Sequence, residues 1–314
     1  MCRLKYILSV ALLCLLAQGI ALAPAARADT AKKDPREVFK QADAGDVDSQ
    51  FAAAYLILVD HYSETGTPNA RDKDKATSRA VGFLEKAVAG GSAPAEHLLG
   101  TLYVTGIGVG KDPNRARDLF QKAADAGNAD GENALGEMLH SGKAGAKDDT
   151  TAVAWFEKAA AQGHKSAMTN LGYMYANGLG VTKDEGKALE LLRTAAEAGV
   201  PAAQHNLGWM YQTGTGVDKD LKQAVRWYLL AADQGYGPAQ LNVAFLYAQG
   251  EANGEVRDQL VQAVKWFALA ANWPDPTISS TAKKGVLYVA KDKEKNPDIL
   301  ADGMDAAKKW VWAH

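Results

Sequence analysis

Cysteine is missing from nearly all of this 314-residue chain: Cys2 and Cys14 stand near its start, and none follows. The body of the protein therefore has no disulfide, no thiolate nucleophile and no cysteine metal ligand, so its stability has to come from packing. Proline is sparse, at 10 residues, and strand-forming patterns are few. An excess of basic charge is lacking too. The 35 Lys and Arg are outnumbered by 37 Asp and Glu and lie interleaved with them, which excludes the phosphate-neutralising surface that a nucleic-acid partner requires. Long apolar runs are confined to Tyr6–Leu16, which is shorter than the roughly 20 residues of a bilayer span.

That run follows Arg3 and Lys5 and precedes Ala26-Arg27-Ala28, a small-x-small site. Residues 1–28 thus read as a secretory signal cleaved near Ala28, leaving a periplasmic or secreted chain with no membrane span. An uncleaved anchor is the competing reading, disfavoured by the shortness of the run. Lipidation of Cys14 would want Gly or Ala before it, where Leu13 stands. Cleavage removes three basic residues and no acidic one, which takes the net charge from −2 to −5.

What the chain does have is a period of 36. An apolar-small pair recurs at Leu99-Gly100, Leu135-Gly136, Leu171-Gly172, Leu207-Gly208 and Val243-Ala244. Four residues after each apolar member come Tyr103, Leu139, Tyr175, Tyr211 and Tyr247, and then Gly106, Gly142, Gly178, Gly214 and Gly250. A further register holds Phe83, Leu119, Trp155, Leu191 and Trp227, and another Gly91, Gly127, Gly163, Gly199 and Gly235.

One period reads as two helices. Ala167, Leu171, Met174 and Tyr175 fall on one stripe of a first helix, A, which ends at Asn177-Gly178, where glycine takes up the left-handed conformation. Leu179-Gly180-Val181 turns the chain. Asp184, repeated as Asp112, Asp148 and Asp220, is placed to cap a second helix, B, with Ala188, Leu191, Leu192, Ala195 and Ala196 on its buried face. Trp155, Trp227 and Trp266 are expected to be core.

These signals give an all-α chain, an α/α solenoid of about six helix-pair repeats with a C-terminal capping helix pair. The divisions are residues 29–45 as a lead-in, helix pairs at 46–91, 92–127, 128–163, 164–199, 200–235 and 236–272, and a cap at 273–314. The first pair has an insertion of about ten residues near Tyr62–Lys73, between a helix A around Phe51–Val59 and a helix B around Arg79–Ala89; the last has three extra within Glu251–Gln259. Past Asn272 the period stops, and helices around Ser279–Ala290 and Asp298–Ala313 cover the apolar end, with Trp310 and Trp312 in the cap core.

The run from Asn170 through Val181, followed by Asp184, Lys187-Ala188 and Ala195-Ala196, resembles the Sel-like repeat (SLR), as does Ala203–Ala232. The resemblance extends over 46–272; the third pair departs most, with Leu139 for Tyr and Ala144-Gly145 for Gly-Val, so its loop is expected to be distorted. It implies a right-handed, tetratricopeptide-like superhelix acting as an adaptor for protein complexes, in bacteria often in the envelope as a regulator of membrane signalling proteins. Cysteine-rich relatives are linked to β-lactam chemistry, which the missing cysteines put in doubt here.

Catalytic patterns are scarce. Gly106-Ile107-Gly108-Val109-Gly110-Lys111 lacks both the first glycine and the Ser/Thr of a phosphate loop and recurs as the turn of the repeat. His61, His97, His140, His164, His205 and His314 show no metal-ligand spacing, and no Gly-x-Ser-x-Gly elbow occurs. The expectation is a non-enzyme with no cofactor or metal. A cell-wall or host-surface interaction protein and an envelope hydrolase of β-lactamase type stay open as alternatives.

Positions that vary while their neighbours recur point to a binding face on helix A: His97, Thr101, Val104; Asn133, Glu137, His140; Thr169, Tyr173, Ala176; His205, Trp209, Gln212; Leu241, Phe245, Ala248. Each set is spaced i, i+4, i+7. Tyr173, Trp209 and Phe245 would form an aromatic ridge for a protein partner, with His205, Gln212, Glu137, His140 and His97 beside it. Packing of the same rings as core between repeats is the competing reading.

Overall fold

A computed structural model describes residues 34–63, 70–252, 255–290 and 298–313; the leader, His314 and the side chains of His61 and Trp312 lie outside them. All regular structure among the described residues is helical: α1 (Pro35–Asp43), α2 (Val47–Ser63), α3 (Ala70–Ala89), α4 (Ala93–Thr105), α5 (Pro113–Asp125), α6 (Ala129–Ser141), α7 (Asp149–Ala161), α8 (Lys165–Asn177), α9 (Glu185–Glu197), α10 (Pro201–Thr213), α11 (Leu221–Asp233), α12 (Gly237–Ala248), α13 (Val256–Ala270), α14 (Pro276–Ala290) and α15 (Ile299–Ala313). No described helix is long and apolar enough to cross a membrane. Consecutive helices pack in pairs, the arrangement of an α/α solenoid. The chain forms two compact bodies, one of residues up to 167 with 179–181, the other of 168–178 with the residues from 182 on.

One aspartate organises each of four junctions between a helix A and its helix B. The backbone N–H groups of Asp112, Asp148, Asp184 and Asp220 donate to the carbonyls of Tyr103, Leu139, Tyr175 and Tyr211. Their carboxylates accept from backbone N–H groups of the following helix, at Arg115, Thr151, Lys187 and Gln223. Each such cap contributes about 1 kcal/mol. Gly178 closes helix A at φ +66°, and a Cβ on Gly180 would come within 2.3 Å of the Asp149 carbonyl carbon.

The glycine of each Leu-Gly pair has a steric reason. A Cβ on Gly100, Gly136 or Gly208 would stand 2.6–2.8 Å from the ring of Phe120, Phe156 or Tyr228, and one on Gly172 would stand 2.8 Å from Leu192 Cγ. The helix-B residues buried throughout are Phe120, Phe156, Leu192, Tyr228 and Phe267, one residue after the register of Leu119, Trp155, Leu191, Trp227 and Trp266, of which Leu119 and Trp266 are buried as well. Trp155 and Trp227 are only half-buried, a correction to their reading as core, and so is Leu191. Lys158 lies over the Trp155 ring at 3.8 Å. Trp266 is buried because α15 covers it, with Trp310 6.3 Å away, edge to face.

In the first body, α1 occupies the lead-in and has the character of a helix B: Asp34 caps it, Val38 and Ala42 are buried, and Phe39 lies 6.3 Å from Phe83. The described part of the insertion after α2 is helical, since α2 runs on to Ser63 and α3 starts at Ala70. The loop of the third pair is altered as its sequence suggested: Gly145 sits at φ +137°, and the Arg117 guanidinium donates to the Ala144 carbonyl at 2.9 Å.

In the second body the two C-terminal helices cover the last repeat. Both α14 and α15 pack on α13 far more than on each other. A Cβ on Gly285 would meet the Phe267 ring at 2.5 Å, and one on Gly303 would meet Val264 at 2.5 Å. Arg257 pairs with Asp302 alongside. The repeat also outlasts Asn272, since Ser279 Oγ donates to the Ala271 carbonyl just as Gln240 Nε2 donates to that of Ala232, 39 residues earlier.

Candidate functional site

Because a helix turns about 100° per residue, the residue after each Leu-Gly pair is swung away from helix B. In the second body this brings Tyr173 of α8, Trp209 of α10 and Phe245 of α12 to the surface. They are 44%, 38% and 37% exposed, while Leu171, Leu207 and Val243, two residues before each, are buried. Large rings at this exposure in successive repeats form an apolar band that folding leaves uncovered. Phe245 is the most committed of the three to the fold, its ring standing edge-on to Phe267 at 5.0 Å.

The polar members beside the ridge act as ties. His205 lies 5.4 Å from the Tyr228 ring and 5.6 Å from that of Tyr236. Its Nδ1 is 3.2 Å from Asn206 Oδ1 and its Nε2 is 3.0 Å from Asn242 Nδ2, contacts that assign the proton to Nδ1 and make Nε2 the acceptor. Burial holds its pKa below the ordinary histidine value, which keeps the ring neutral. Gln212 Oε1 accepts from the Tyr228 hydroxyl at 2.7 Å, and burial pushes that phenol far above its usual pKa. These contacts fix α10 against α11 and α12, so Trp209 rises from a braced helix.

In the first body the corresponding residues are dispersed in role. His97 is buried against Phe120, with ring centroids 5.7 Å apart, and burial lowers its pKa; it offers no surface to a partner. Glu137 is exposed and accepts from Asn133 Nδ2 at 2.9 Å. His140 Nδ1 stands 2.7 Å from Asp149, whose other oxygen is 3.1 Å from Lys147 Nζ. In the ridge register α4 and α6 carry Thr101 and Glu137, and α2, aligned through Gln50, carries the half-buried Tyr55.

Sequence reasoning missed one polar register. Gln50, Gln204 and Gln240 are buried and donate to the carbonyls of Ala42, Ala196 and Ala232, which ties each helix A to the end of the helix before it. Glu96 and Glu132 occupy this register in the first body, and both are buried. The available signal was the spacing of 36 between Glu96 and Glu132 and between Gln204 and Gln240, interrupted by Met168 and not extending to Gln50. The first body also carries an open groove of about 370 Å³ lined by Glu85, Val88, Leu99, Arg115, Asp118, Leu119 and Lys122, with two acids against two bases. Among the described residues no three His, Cys, Asp or Glu side chains gather where they could hold a metal ion.

With this geometry in hand, comparisons identify the relatives. The family model described as "Sel1 repeat" matches residues 93–128, 129–164, 165–200, 201–236 and 237–272. The solved structure of a Sel1 repeat protein from Oxalobacter formigenes is 31% identical with a TM-score of 0.60, over 76% of this chain and 94% of that one. A protective antigen of uropathogenic Escherichia coli strains, displaying an SLR fold, is 24% identical with a TM-score of 0.55; the match covers 89% of this chain and 63% of that one. A comparison with curated proteins finds no match.

Proposed function

The chain belongs to the Sel1 repeat family, and from that premise we propose that it is an exported, non-catalytic adaptor of the bacterial envelope that holds a segment of a partner protein on the helix-A face of its second body. Sel1 repeat proteins are generally protein–protein interaction scaffolds. The observation that carries the reading is the row of Tyr173, Trp209 and Phe245, three rings in one repeat register, each more than a third exposed beside a buried core position. Aromatic anchors are over-represented among interface hot spots, where truncation costs about 2 kcal/mol or more, or roughly 30-fold in affinity. The basic start, apolar run and Ala26-Arg27-Ala28 site support export, and a membrane signalling protein fits as the partner.

The test is a pull-down from envelope extracts with the mature chain beside a Tyr173→Ala, Trp209→Ala, Phe245→Ala variant whose circular dichroism is unchanged. The adaptor reading expects one saturable protein partner captured by the first and lost from the second. Equal capture by both removes the ridge from the account. Turnover of a β-lactam or a peptidoglycan fragment by the same preparation, lost on a single polar substitution, would replace the adaptor with an enzyme.

A further inference from the structure

The aromatic face does not end with α12. The 39-residue shift that carries Tyr228 onto Phe267 also carries α12 onto α14. Ser279 repeats the hydrogen bond of Gln240, and Ala282 and Gly285 are buried where Val243 and Leu246 are. Phe267 ties the two helices together, with Phe245 edge-on to its ring and the Gly285 backbone close against it. The set Leu241, Phe245, Ala248 therefore has a successor in Ser280, Lys284 and Leu287, all three exposed. This fourth rung brings in charge. From Met168 to the end of α8, and throughout α10 and α12, there is no Asp, Glu, Lys or Arg. The first charges on this row of helices are the exposed neighbours Lys283 and Lys284.

We propose that the row Tyr173, Trp209, Phe245, Lys284 is one docking surface with a cationic end, whose occupant is an extended, largely uncharged apolar segment of a partner protein carrying an acidic residue over Lys283 and Lys284. The proposal rests on the reading of the helix-A face as the binding surface, and adds to it the charge and polarity of the partner. Uncharged rungs favour an apolar segment because a charged one would lose hydration there without gaining a counter-charge. The lysine pair supplies what the aromatic rungs lack, a direction for the segment and a salt-sensitive attraction for its acidic end. Four rungs at roughly 8–10 Å per helix spacing accommodate about eight extended residues at roughly 3.3 Å each.

A random twelve-residue peptide display library, panned in parallel on three immobilised proteins, tests this. The proteins are the wild-type mature chain, a Lys283→Glu, Lys284→Glu variant, and the Tyr173→Ala, Trp209→Ala, Phe245→Ala variant, each shown folded by circular dichroism. The wild type is expected to enrich apolar sequences with Asp or Glu at one flank. The charge-reversed variant is expected to lose these and enrich Lys or Arg at that flank. A synthetic consensus peptide should bind the charge-reversed variant about tenfold more weakly than wild type, with the difference shrinking as salt is raised. Enriched peptides without an acidic flank, or bound equally by the charge-reversed variant, would overturn the cationic end; their loss from the aromatic variant would leave the face itself standing. Peptides kept by the aromatic variant would overturn the face as well. No enrichment over the bare support, or enrichment only of amphipathic helical peptides, would overturn an extended segment as the occupant.

Discussion

Glu132 occupies a buried position where two other repeats have glutamine, and the difference is a single proton. Gln204 uses both halves of its amide, Nε2 donating to the Ala196 carbonyl at 3.2 Å and Oε1 accepting from Gln234 at 2.8 Å. Glu132 accepts from Gln162 in the same way, through Oε2 at 2.8 Å. The carbonyl that corresponds to that of Ala196 in this repeat is Ala124. Two acceptors can share a hydrogen bond only if the carboxyl keeps its proton. Burial pushes the pKa of Glu132 up, against the opposing pull of Gln162, Lys158 and His164; burial likewise raises Glu96, against Lys122. A carboxyl raised above its unfolded value of 4.5 contributes its full stability below that pH and loses it as pH rises through the folded value. Glu132→Gln is therefore expected to raise stability at pH 8 by roughly 1 kcal/mol or more, with little effect at pH 4, and to flatten the fall between them. Urea midpoints at the two pH values measure this; an equal change at both would contradict a proton-dependent contact. Sequence alone hid the point, because Glu for Gln in a polar helix looks like an ordinary surface exchange.

At the scale of the helix, what was legible is what the backbone demands. Aspartate at the start of helix B and glycine at the end of helix A recur because unpaired N–H groups and a left-handed residue leave few alternatives, and both are found where the spacing put them. The core face of helix B was harder. Trp155-Phe156, Trp227-Tyr228 and Trp266-Phe267 each set two large residues side by side, and recurrence cannot say which of two neighbours points inward. For the first two the answer lay in the partner helix, where Gly136 and Gly208 make room for the rings of Phe156 and Tyr228. A Cβ on Gly208 would come 2.8 Å from Tyr228 Cδ1 and 3.2 Å from the Ala224 carbonyl oxygen, with the tyrosine fully buried, whereas one on Gly110 meets nothing within 4 Å. Gly208→Ala is expected to destabilise the protein by about 1–3 kcal/mol, and Gly110→Ala to leave it within about 0.5 kcal/mol. Chemical denaturation of both variants checks this, and equal midpoints would refute a ring-in-gap contact.

Across the whole molecule, the 36-residue period specifies the helix-pair architecture, because each repeat buries its apolar stripe only against its neighbours. The period gave out where its markers did. Past Asn272 the Leu-Gly pair and its following tyrosine vanish, yet α14 keeps the helix-A register through Ser279, Ala282 and Gly285, residues too ordinary to announce it. The ridge was legible as variation within repetition. What sequence could not supply was that Tyr173, Trp209 and Phe245 stay open to solvent while His97 does not. The account stands on the claim that this face holds a partner protein. Its most direct test is site-specific photocrosslinking in envelope extracts, with a photoreactive phenylalanine analogue placed singly at Trp209, at Phe245 or at Leu230, a helix-B residue equally exposed at 43%. The account predicts one adduct of the same mass from positions 209 and 245 and none from 230; an adduct from 230 alone, or equally from all three, would contradict it.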